Sequence, residues 1–182
     1  MKVELRKLTE NELELMMNWR MREDISQGMF SSIKLTIEDQ RKWFEKIKDD
    51  PSQIRWVIYV DDVPVGSMYL VDIDYNNKRC ESGWFVAENE YRSLKLAMAL
   101  QQNMYDFVFD ILQFNRIYGY VIDSNKMTLK LIKLCGIEEE GVLKQHVMKE
   151  GTFHDVTVVG LTKEAWHAKK GNYRYEKFVI EY

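Results

Sequence analysis

The chain has 182 residues, of which 46% are hydrophobic, 13% aromatic and 30% charged. This length and mixture predict one compact domain that buries a sizeable core, and they exclude a disordered chain. The 26 basic and 29 acidic residues give a formal charge of −3, which is too balanced for a surface that binds nucleic acid or anionic membranes. We therefore expect no nucleic-acid partner and no membrane partner.

The two cysteines, Cys80 and Cys135, lie far apart in the sequence and do not make a disulfide framework. No spacing of cysteine and histidine resembles a zinc site, so we expect no bound metal. The N-terminal segment MKVELRKLTENELELMM interrupts its apolar residues with charges, unlike a signal peptide or a membrane span. These features predict a chain that is mature from Met1 and that resides in the cytoplasm.

The first half of the chain predicts strands that alternate with capped helices. A short strand spans residues 3–8, and Thr9 opens a segment whose apolar residues recur at helical spacing. After an irregular stretch at residues 22–34, Thr36 begins a capped amphipathic helix. Residues 55–74 are rich in β-branched and aromatic side chains on either side of a turn, which predicts a β-hairpin. The side chains that the second helix is expected to bury are Trp43, Phe44 and Ile47.

The second half predicts a parallel crossover. The strand CESGWFVA at residues 80–87 leads to a long helix at residues 94–112 and then to a strand at residues 116–122. Asn125 caps a further helix, and Gly136 is placed to end that helix in the left-handed conformation. The side chains of this helix that we expect to face inward are Met127, Leu131 and Leu134.

The order of elements predicts an α+β fold with a mixed sheet. Residues 142–161 form a last hairpin, and a polar-aromatic tail follows at residues 164–182. A central antiparallel meander thus runs into a parallel βαβ crossover, and we expect one domain over residues 1–182. In open sheets, ligands bind where neighbouring strands diverge, near a helix N-terminus whose free N–H groups attract phosphate. The helix after residues 80–87 is therefore the candidate ligand site.

The segment NKMTLKLIKLCGIEEEG at residues 125–141 carries a resemblance to a known family. Together with the order of elements, it resembles the GCN5-related N-acetyltransferases (GNAT), whose fourth-helix segment commonly begins with Asn and ends with Glu-Gly. The matching positions are Asn125, Thr128, Leu131, Gly136, Glu140 and Gly141. The resemblance implies the GNAT fold, a central mixed, mostly antiparallel sheet of about seven strands with helices on both faces.

The resemblance covers nearly the whole chain, and several segments are similar to one branch of the family. The opening and closing segments and the strand CESGWFV are similar to the ribosomal-protein N-acetyltransferases. Within this branch, Asn18-Trp19-Arg20, Trp43 and the strand at residues 71–74 look most like the acetyltransferases of UDP-linked 4-amino sugars in pseudaminic acid biosynthesis. The resemblance implies acetyl transfer from acetyl-CoA to an amine.

The resemblance also places the cofactor pyrophosphate at the N-terminus of the long helix. The cofactor-binding residues that it implies there are Arg92, Ser93, Leu94, Lys95, Leu96 and Ala97. The family pattern has glycine where this chain has Lys95, whose stem we expect to crowd a tight phosphate cradle. Asn125 is expected to be a polar contact to the cofactor, a role that is compatible with capping its helix.

Acylation of an amine needs a proton acceptor, and it needs donors for the negative charge that develops on the acyl oxygen. Glu81 is the candidate base, since it lies on the strand beside the proposed cleft and matches the acidic residue of many relatives. The alternative role for Glu81 is a cross-strand ion pair on a solvated face. The backbone N–H of Phe85, Val86 or Ala87 polarises the acyl carbonyl if a bulge splays this strand.

The acid that protonates the departing thiolate has no clear candidate. Many relatives have a tyrosine four residues after the small residue of the Asn motif, where this chain has Ile132. Either the thiolate leaves without a dedicated acid, or Ser124, Tyr173 or Tyr175 takes its place.

The acceptor site is expected to form from the irregular stretch and the first helix, because long loops beside a rigid sheet carry specificity. The predicted acceptor-binding residues are Arg20, Arg22, Met29 and Trp43. The two arginines suit the pyrophosphate of a nucleotide sugar, whereas Glu23 and Asp24 suit a polyamine or a peptide. The alternative is that these charges simply remain solvated beside a helix end.

Three functions follow from this sequence. The first is an acetyl-CoA-dependent N-acetyltransferase that acts on a primary amine, foremost the 4-amino group of a UDP-linked amino-deoxysugar, by direct attack with Glu81 as the base. The second has a protein N-terminus or a polyamine as the acceptor, and the third is a GNAT-like module that binds acyl-CoA with weak catalysis. A buried Glu81 with a raised pKa favours the enzyme. The aromatic tail either closes a homodimer interface or packs on its own domain.

Overall fold

In the computed structural model, which describes all of residues 1–182, eight strands form one mixed sheet that carries six α-helices. The strands are β1 Val3–Lys7, β2 Ile54–Val60, β3 Val63–Asp74, β4 Arg79–Val86, β5 Arg116–Ile122, β6 Glu138–Lys149, β7 Thr152–Thr162 and β8 Val179–Ile180. The helices are α1 Leu13–Met21, α2 Glu23–Ser26, α3 Ile37–Ile47, α4 Leu94–Asp106, α5 Lys126–Leu134 and α6 Lys163–Lys169. None of these helices is both long and apolar enough to span a bilayer.

The strands lie in the order β6-β7-β5-β4-β3-β2-β1-β8. Two neighbouring pairs, β4 with β5 and β1 with β8, are parallel, and the other pairs are antiparallel. This confirms the mixed, mostly antiparallel sheet. The eighth strand, beyond the expected seven, is the two-residue β8 from the predicted tail.

Two hydrophobic clusters place helices on both faces of the sheet. The larger one has 27 buried residues and packs Leu96, Leu100 and Met104 of α4 against one face. We call this the α4 face. The smaller cluster has eight buried residues and joins Leu13 of α1 and Phe44 of α3 to the opposite face, which we call the α1 face. Side chains alternate along each strand, so neighbouring residues of β4 point to different faces.

The central strands β4 and β5 diverge after three paired positions. Arg79, Cys80 and Glu81 are the residues of β4 that pair with β5. Beyond Glu81, β4 continues to pair with β3 alone, and the rest of β5 pairs with β7. The gap opens toward the C-terminal ends of both strands, where α4 and α5 begin. This is the switch point at which open sheets bind ligands.

The tail does not stay an exposed aromatic segment. It folds into α6 and β8, and Trp166 is completely buried against the domain. The ring of Tyr182 packs edge-on against Phe107, with centroids 5.2 Å apart. Of the two expected outcomes for this segment, the structure shows packing on its own domain.

The expected inward face of α5 was wrong. Met127 and Leu134 are 79% and 56% exposed, whereas Ile132 and Cys135 are buried. The helix carries apolar residues on both sides, so its periodicity fits two orientations. The structure packs one side on the core, and the other side faces the gap between β4 and β5.

Smaller differences concern helix ends and loops. The long helix ends at Asp106 and continues as a π-helical turn over Phe107–Ile111. The irregular stretch contains the short helix α2, and β6 begins four residues earlier than expected, at Glu138. On α3, Phe44 is buried, but Trp43 and Ile47 are only half-buried. These differences leave the topology unchanged.

Candidate active site

A cleft of about 1300 Å³ occupies the gap between β4 and β5. Its walls are the two strands, the start of α4, one side of α5, the segment around α2 and the β6–β7 hairpin. Of the predicted site residues, those that line it are Glu81, Phe85, Val86, Arg92, Ser93, Leu94, Ala97, Asn125 and Met29. Those that do not line it are Ala87, Lys95, Leu96, Arg20, Arg22 and Trp43.

Glu81 lies at the apex of the gap, opposite Tyr118 in the last paired position of β4 and β5. Its side chain is half-buried and makes no ion pair. Burial raises the pKa of this carboxyl, nearby Asp72 raises it further, and Arg55 opposes the shift. A half-buried carboxylate with a raised pKa in a cleft has the properties of a general base, whereas a surface ion pair does not.

Of the three backbone N–H groups expected to polarise the acyl carbonyl, those of Phe85, Val86 and Ala87, only one is free of the hydrogen-bond ladder between β3 and β4. The Ala87 N–H donates to the Val65 carbonyl at 2.7 Å, so this N–H is not free. In an antiparallel ladder, successive residues of a strand direct their N–H groups alternately toward the partner strand and away from it. Because the Ala87 N–H points toward β3, the Phe85 N–H does so too, and the Val86 N–H points toward the gap. The pairing of β4 with β3 is regular from Glu81 to Val86, so the gap arises from the divergence of β5 and not from a bulge in β4.

The N-terminus of α4 borders the same gap and suits a phosphate. The Ser93 hydroxyl caps the helix by accepting the Leu96 N–H at 3.2 Å. The N–H groups of Leu94 and Lys95 have no protein acceptor. Free N–H groups at the start of a helix bind anions, and Ser93 and Leu94 line the cleft. This arrangement fits the pyrophosphate of acetyl-CoA.

Arg92 braces the end of β4 and is not a free cation. Its Nε donates to the Val86 carbonyl at 2.8 Å, and its Nη2 donates to the Ala87 carbonyl at 3.0 Å. The same Nη2 contacts Asp24 Oδ2 at 2.6 Å. Arg92 therefore holds the strand end at which the Val86 N–H faces the gap.

Lys95 and Leu96 do not enter the cleft. The Lys95 side chain is 74% exposed, and its Nζ contacts Glu176 Oε1 at 3.2 Å on the outer side of the helix. Leu96 is a core residue with 1% exposure. The stem of Lys95 therefore does not crowd the phosphate cradle in the way that the sequence suggested, because the helix turns it away from the gap.

This placement predicts that Lys95 has little influence on the cofactor. We expect Lys95→Ala to change the dissociation constant of acetyl-CoA by less than about threefold, since an exposed ion pair contributes little. Isothermal titration calorimetry measures the constant, and Lys144→Ala is a matched control because Lys144 is 77% exposed and also paired with a carboxylate. Tenfold tighter binding by the Lys95 variant would show that the side chain does obstruct the cradle.

Asn125 links the two sides of the cleft. Its Oδ1 accepts the Thr128 N–H at 3.2 Å and so caps α5, and its Nδ2 donates to the Gly28 carbonyl at 3.3 Å. The candidates for the acid are more widely scattered. Ser124 lines the cleft, and Ile132, although it belongs to the core, also borders the cleft.

The tail tyrosines lie away from the cleft. The Tyr173 ring stacks on Trp166 with centroids 5.6 Å apart, and the Tyr175 hydroxyl donates to Asp106 Oδ2 at 2.6 Å. Both rings are therefore committed to the packing of the C-terminal segment. Neither residue lines the gap in which the thiolate would leave.

The predicted acceptor residues outside the cleft have other partners. Arg22 donates to Asp24 at 2.9 Å and to the Ala87 carbonyl at 2.9 Å, so it braces α2 against the end of β4. Trp43 stacks with the guanidinium of Arg55, which lies 5.0 Å from the ring centroid. Arg20 donates from Nη2 to the Ser31 carbonyl at 3.2 Å, and its Nη1 is buried without a partner.

Two tyrosines that the sequence analysis did not single out lie beside Glu81. Tyr69 of β3 and Tyr118 of β5 both line the cleft. The Tyr118 hydroxyl donates to Asp72, while the Tyr69 hydroxyl makes no hydrogen bond. Alternation along β3 places Tyr69 on one face, but only the register with β4 brings it next to Glu81.

The β6–β7 hairpin also reaches the cleft. His154 lines it, and its Nδ1 lies 2.9 Å from Asp123 Oδ1. The Lys149 ammonium donates to three backbone carbonyls at 2.8 to 3.0 Å, and these belong to Ser26, Gln27 and Met29. The hairpin and the segment after α2 therefore close over one end of the gap. The structure holds no group of three or more histidine, cysteine and acidic side chains that fits a metal ion.

A parallel strand pair that opens beside free helix N–H groups, with a half-buried carboxyl group at the point of divergence, suits the binding of a phosphate-bearing cofactor and the acceptance of a proton. Residues 2–138 match the family model described as an acetyltransferase (GNAT) domain, and the chain therefore belongs to the GNAT family. The resemblance found in the sequence is confirmed. The protein is an N-acetyltransferase with acetyl-CoA as its donor.

Several known acetyltransferases are similar to this chain. The acetyltransferase PseH of Campylobacter jejuni is 28% identical over 125 residues, which cover 68% of this chain and 75% of that protein. The spermidine N(1)-acetyltransferase of Vibrio cholerae is 26% identical over 155 residues, which cover 84% of this chain and 88% of that protein. A crystal structure of spermidine N-acetyltransferase from Vibrio cholerae with CoA and spermine has a TM-score of 0.85 at 22% identity, covering 91% of this chain and 98% of that chain. This structural likeness confirms the fold.

Proposed function

We propose that the protein acetylates the primary amine of a small anionic acceptor, foremost the 4-amino group of a UDP-linked amino-deoxysugar, with Glu81 as the base. The amine attacks the acyl carbon directly, and Glu81 accepts the proton that the nitrogen loses. Two features support this proposal, namely the position of Glu81 at the last paired position of β4 and β5 and the presence of two arginines without ion pairs, Arg20 and Arg55, near Tyr69. The similarity to PseH of Campylobacter jejuni agrees with this acceptor class.

The observation that carries the anionic acceptor is the uncompensated charge of Arg20 and Arg55. The guanidinium of Arg55 lies 5.1 Å from the ring centroid of Tyr69, and the charge of Arg20 is close enough to lower the pKa of Tyr69. Neither arginine makes an ion pair. One guanidinium nitrogen of Arg20 is buried without a hydrogen-bond partner. Arginine stays protonated in proteins, and an unpaired charge that is partly removed from water is unfavourable. Neither arginine lines the cleft itself, so a phosphate or carboxylate of an acceptor bound there would supply the counter-charge from a distance and not by direct contact.

Different residues of the chain would bind the cofactor, stabilise the acyl oxygen and accept the proton. Acetyl-CoA supplies a thioester, an activated acyl group. The N–H groups of Leu94 and Lys95 would hold its pyrophosphate, and the side of α5 that faces the gap would pack along its pantetheine arm. The Val86 N–H would donate to the acyl oxygen as negative charge develops there, and Glu81 would take the proton from the amine.

A polyamine acceptor is the second candidate, and a specific observation favours it. Glu23 and Glu150 line the same cleft without forming ion pairs, and the carboxylate of Asp24 lies nearby. Carboxylates of this kind attract a cationic chain. The relative from Vibrio cholerae named a spermidine N(1)-acetyltransferase agrees with this acceptor. Arg20 and Arg55, however, would repel the amine groups of a polyamine from the base.

A panel of acceptors with acetyl-CoA as the donor distinguishes these candidates. We expect a higher kcat/KM for a UDP-4-amino-deoxysugar than for spermidine or for a peptide with a free N-terminus. Arg20→Gln should lower kcat/KM for the nucleotide sugar by about tenfold, because a nearby positive charge is lost, and should leave spermidine acetylation unchanged or faster. Arg41→Gln, an exposed arginine on α3, is the matched control. A preference for spermidine that does not depend on Arg20 would contradict the anionic acceptor.

A further inference from the structure

We infer that Tyr69 is a second catalytic residue, whose hydroxyl binds the attacking amine and relays its proton to Glu81. This inference rests on the proposed role of Glu81 as the base. It does not depend on which amine is the acceptor. Three observations carry it: the place of the ring over β4, the stack that holds the ring there, and the absence of any other partner for the hydroxyl.

The ring of Tyr69 reaches over β4 at Gly83. Tyr69 pairs with Gly83 in the register of β3 and β4. A Cβ atom at Gly83 would overlap both Oη and Cζ of Tyr69, so the hydroxyl lies directly above this glycine. Residues 81, 83 and 85 project to the same face of β4, since side chains alternate. The hydroxyl therefore lies between Glu81 and Phe85 on the floor of the cleft.

A three-layer stack holds this ring in place. The guanidinium of Arg55 lies 5.1 Å from the centroid of Tyr69 and 5.0 Å from that of Trp43. Arg55 Nε also donates to Gln53 Oε1 at 3.0 Å, which fixes the orientation of the guanidinium plane. With Arg55 packed against the ring, Tyr69 does not swing back toward β2. This stack also explains why Trp43 lies outside the cleft.

The Tyr69 hydroxyl has no hydrogen-bond partner, although the residue is half-buried. Burial and the nearby Glu81 raise the pKa of this phenol, while Arg55 and Arg20 oppose the shift. The group therefore keeps its proton and can donate it. Tyr118, on the other side of Glu81, differs in that its hydroxyl already donates to Asp72. The Tyr69 hydroxyl lines the open cleft without a protein partner, so it is free to form a hydrogen bond with a ligand there.

The relay moves one proton and leaves Tyr69 unchanged. As the amine nitrogen bonds to the acyl carbon, one N–H proton passes to Tyr69 Oη and the Tyr69 proton passes to Glu81. The C–S bond then breaks, and the sulfur leaves as a thiolate with the bonding electron pair. The proton on Glu81 is released to water, which restores both residues. The phenol never has to exist as an anion, so its raised pKa does not prevent the transfer.

The first test removes only the hydroxyl. We expect Tyr69→Phe to lower kcat by about 10- to 100-fold with little change in KM for acetyl-CoA, as for a lost proton-transfer group. Any acceptor that the wild-type enzyme acetylates serves for this assay, spermidine included. Tyr59→Phe is the matched control, since Tyr59 lies on the same sheet face but bonds to Glu12 outside the cleft. A Tyr69→Phe enzyme within twofold of wild type in kcat would overturn the inference.

The second test moves the hydroxyl without removing it. Gly83→Ala places a methyl group where the Tyr69 ring lies, so the ring must shift. We expect a loss of kcat similar to that of Tyr69→Phe. Gly141→Ala is the control, because a Cβ there meets no atom within 4 Å. An active Gly83→Ala enzyme with unchanged kcat would count against the position of the hydroxyl, and circular dichroism verifies that the variant folds.

The third test measures coupling between the two residues. If Tyr69 acts through Glu81, then Tyr69→Phe should have little further effect in a Glu81→Gln enzyme, because residues that act as a unit are strongly non-additive. Effects that multiply would overturn the relay. A fully active Glu81→Gln enzyme would instead refute the proposed base. An inactive Glu81→Gln enzyme with an unaffected Tyr69→Phe enzyme would refute this inference alone.

Discussion

Replacement of Glu81 by glutamine is expected to lower kcat at neutral pH by about 100-fold or more, because the amide cannot accept the proton of the attacking amine. The change keeps the size of the side chain at the apex of the gap, where it pairs opposite Tyr118. Acetyl-CoA should bind as before, since Glu81 does not contact the N-terminus of α4. Steady-state kinetics with a saturating acceptor, together with calorimetry, separates the two effects.

The pH dependence provides a second signature of this base. Glu81 must be ionised to accept a proton, so kcat/KM should rise with pH through the pKa of this carboxyl. Burial and Asp72 raise that pKa above its ordinary value of 4.5, which moves the acid limb of the profile upward. In Glu81→Gln the limb should disappear. In Asp72→Asn it should shift to lower pH, because one of the groups that raises the pKa is gone.

The control for this experiment is Glu38→Gln, which changes an exposed glutamate on α3. It should leave both kcat and the pH profile unchanged. If Glu81→Gln retained more than half of the wild-type kcat with the same acid limb, another group would have to be the base. The unpaired state of Glu81 in the cleft would then need a different explanation, such as the attraction of a cationic acceptor.

Local signals in the sequence predicted much of the fold. Thr9 and Thr36 form the capping boxes that begin the first two helical segments, and Asn125 caps α5. Gly136 adopts the left-handed conformation, with a φ of 94°. Each of these features depends on only a few neighbouring residues. This is why they could be predicted without knowledge of the packing.

Features that depend on distant contacts were less predictable. The predicted orientation of α5 was wrong because an apolar side of a helix fits a ligand cleft as well as a core. The direction of Lys95 depends on how α4 is rotated against the sheet, and only the structure shows that the side chain meets Glu176. The sequence pattern therefore identified a segment that borders the cleft, but not which side of that segment faces the cleft.

The residues of the candidate site also divide into those that local sequence motifs identify and those that depend on contacts between distant segments. Glu81 and the start of α4 could be named from motifs, since both lie in one continuous segment of the chain. Tyr69 could not, because its place over Gly83 requires the register of β3 against β4. That register changes between Val71 and Asp74, and such irregularities have no reliable sequence signature. Residues that reach the site across strands are therefore the ones that sequence reasoning misses.

The C-terminal segment is expected to be part of the cooperative core, and Trp166→Ala tests this. Trp166 is fully buried, stacks on Tyr173 and packs edge-on against Tyr105 at 5.0 Å between centroids. Its Nε1 donates to Asp106 Oδ1 at 3.0 Å. Truncation leaves a large cavity and removes this hydrogen bond. We expect the free energy of unfolding to fall by about 3–5 kcal/mol, as for other buried tryptophans.

Urea denaturation followed by circular dichroism measures this loss, and Trp166→Phe separates its two parts. Phenylalanine keeps most of the buried ring but cannot donate to Asp106, so we expect a loss of about 1–2 kcal/mol. Asp106 keeps its bonds to Lys170 and Tyr175 in both variants, which limits the cost of the missing donor. If Trp166→Ala unfolded within about 1 kcal/mol of wild type, α6 and β8 would have to be a separately folding appendage. The stacking of Trp166 between α4 and the C-terminal tyrosines argues that they unfold with the sheet.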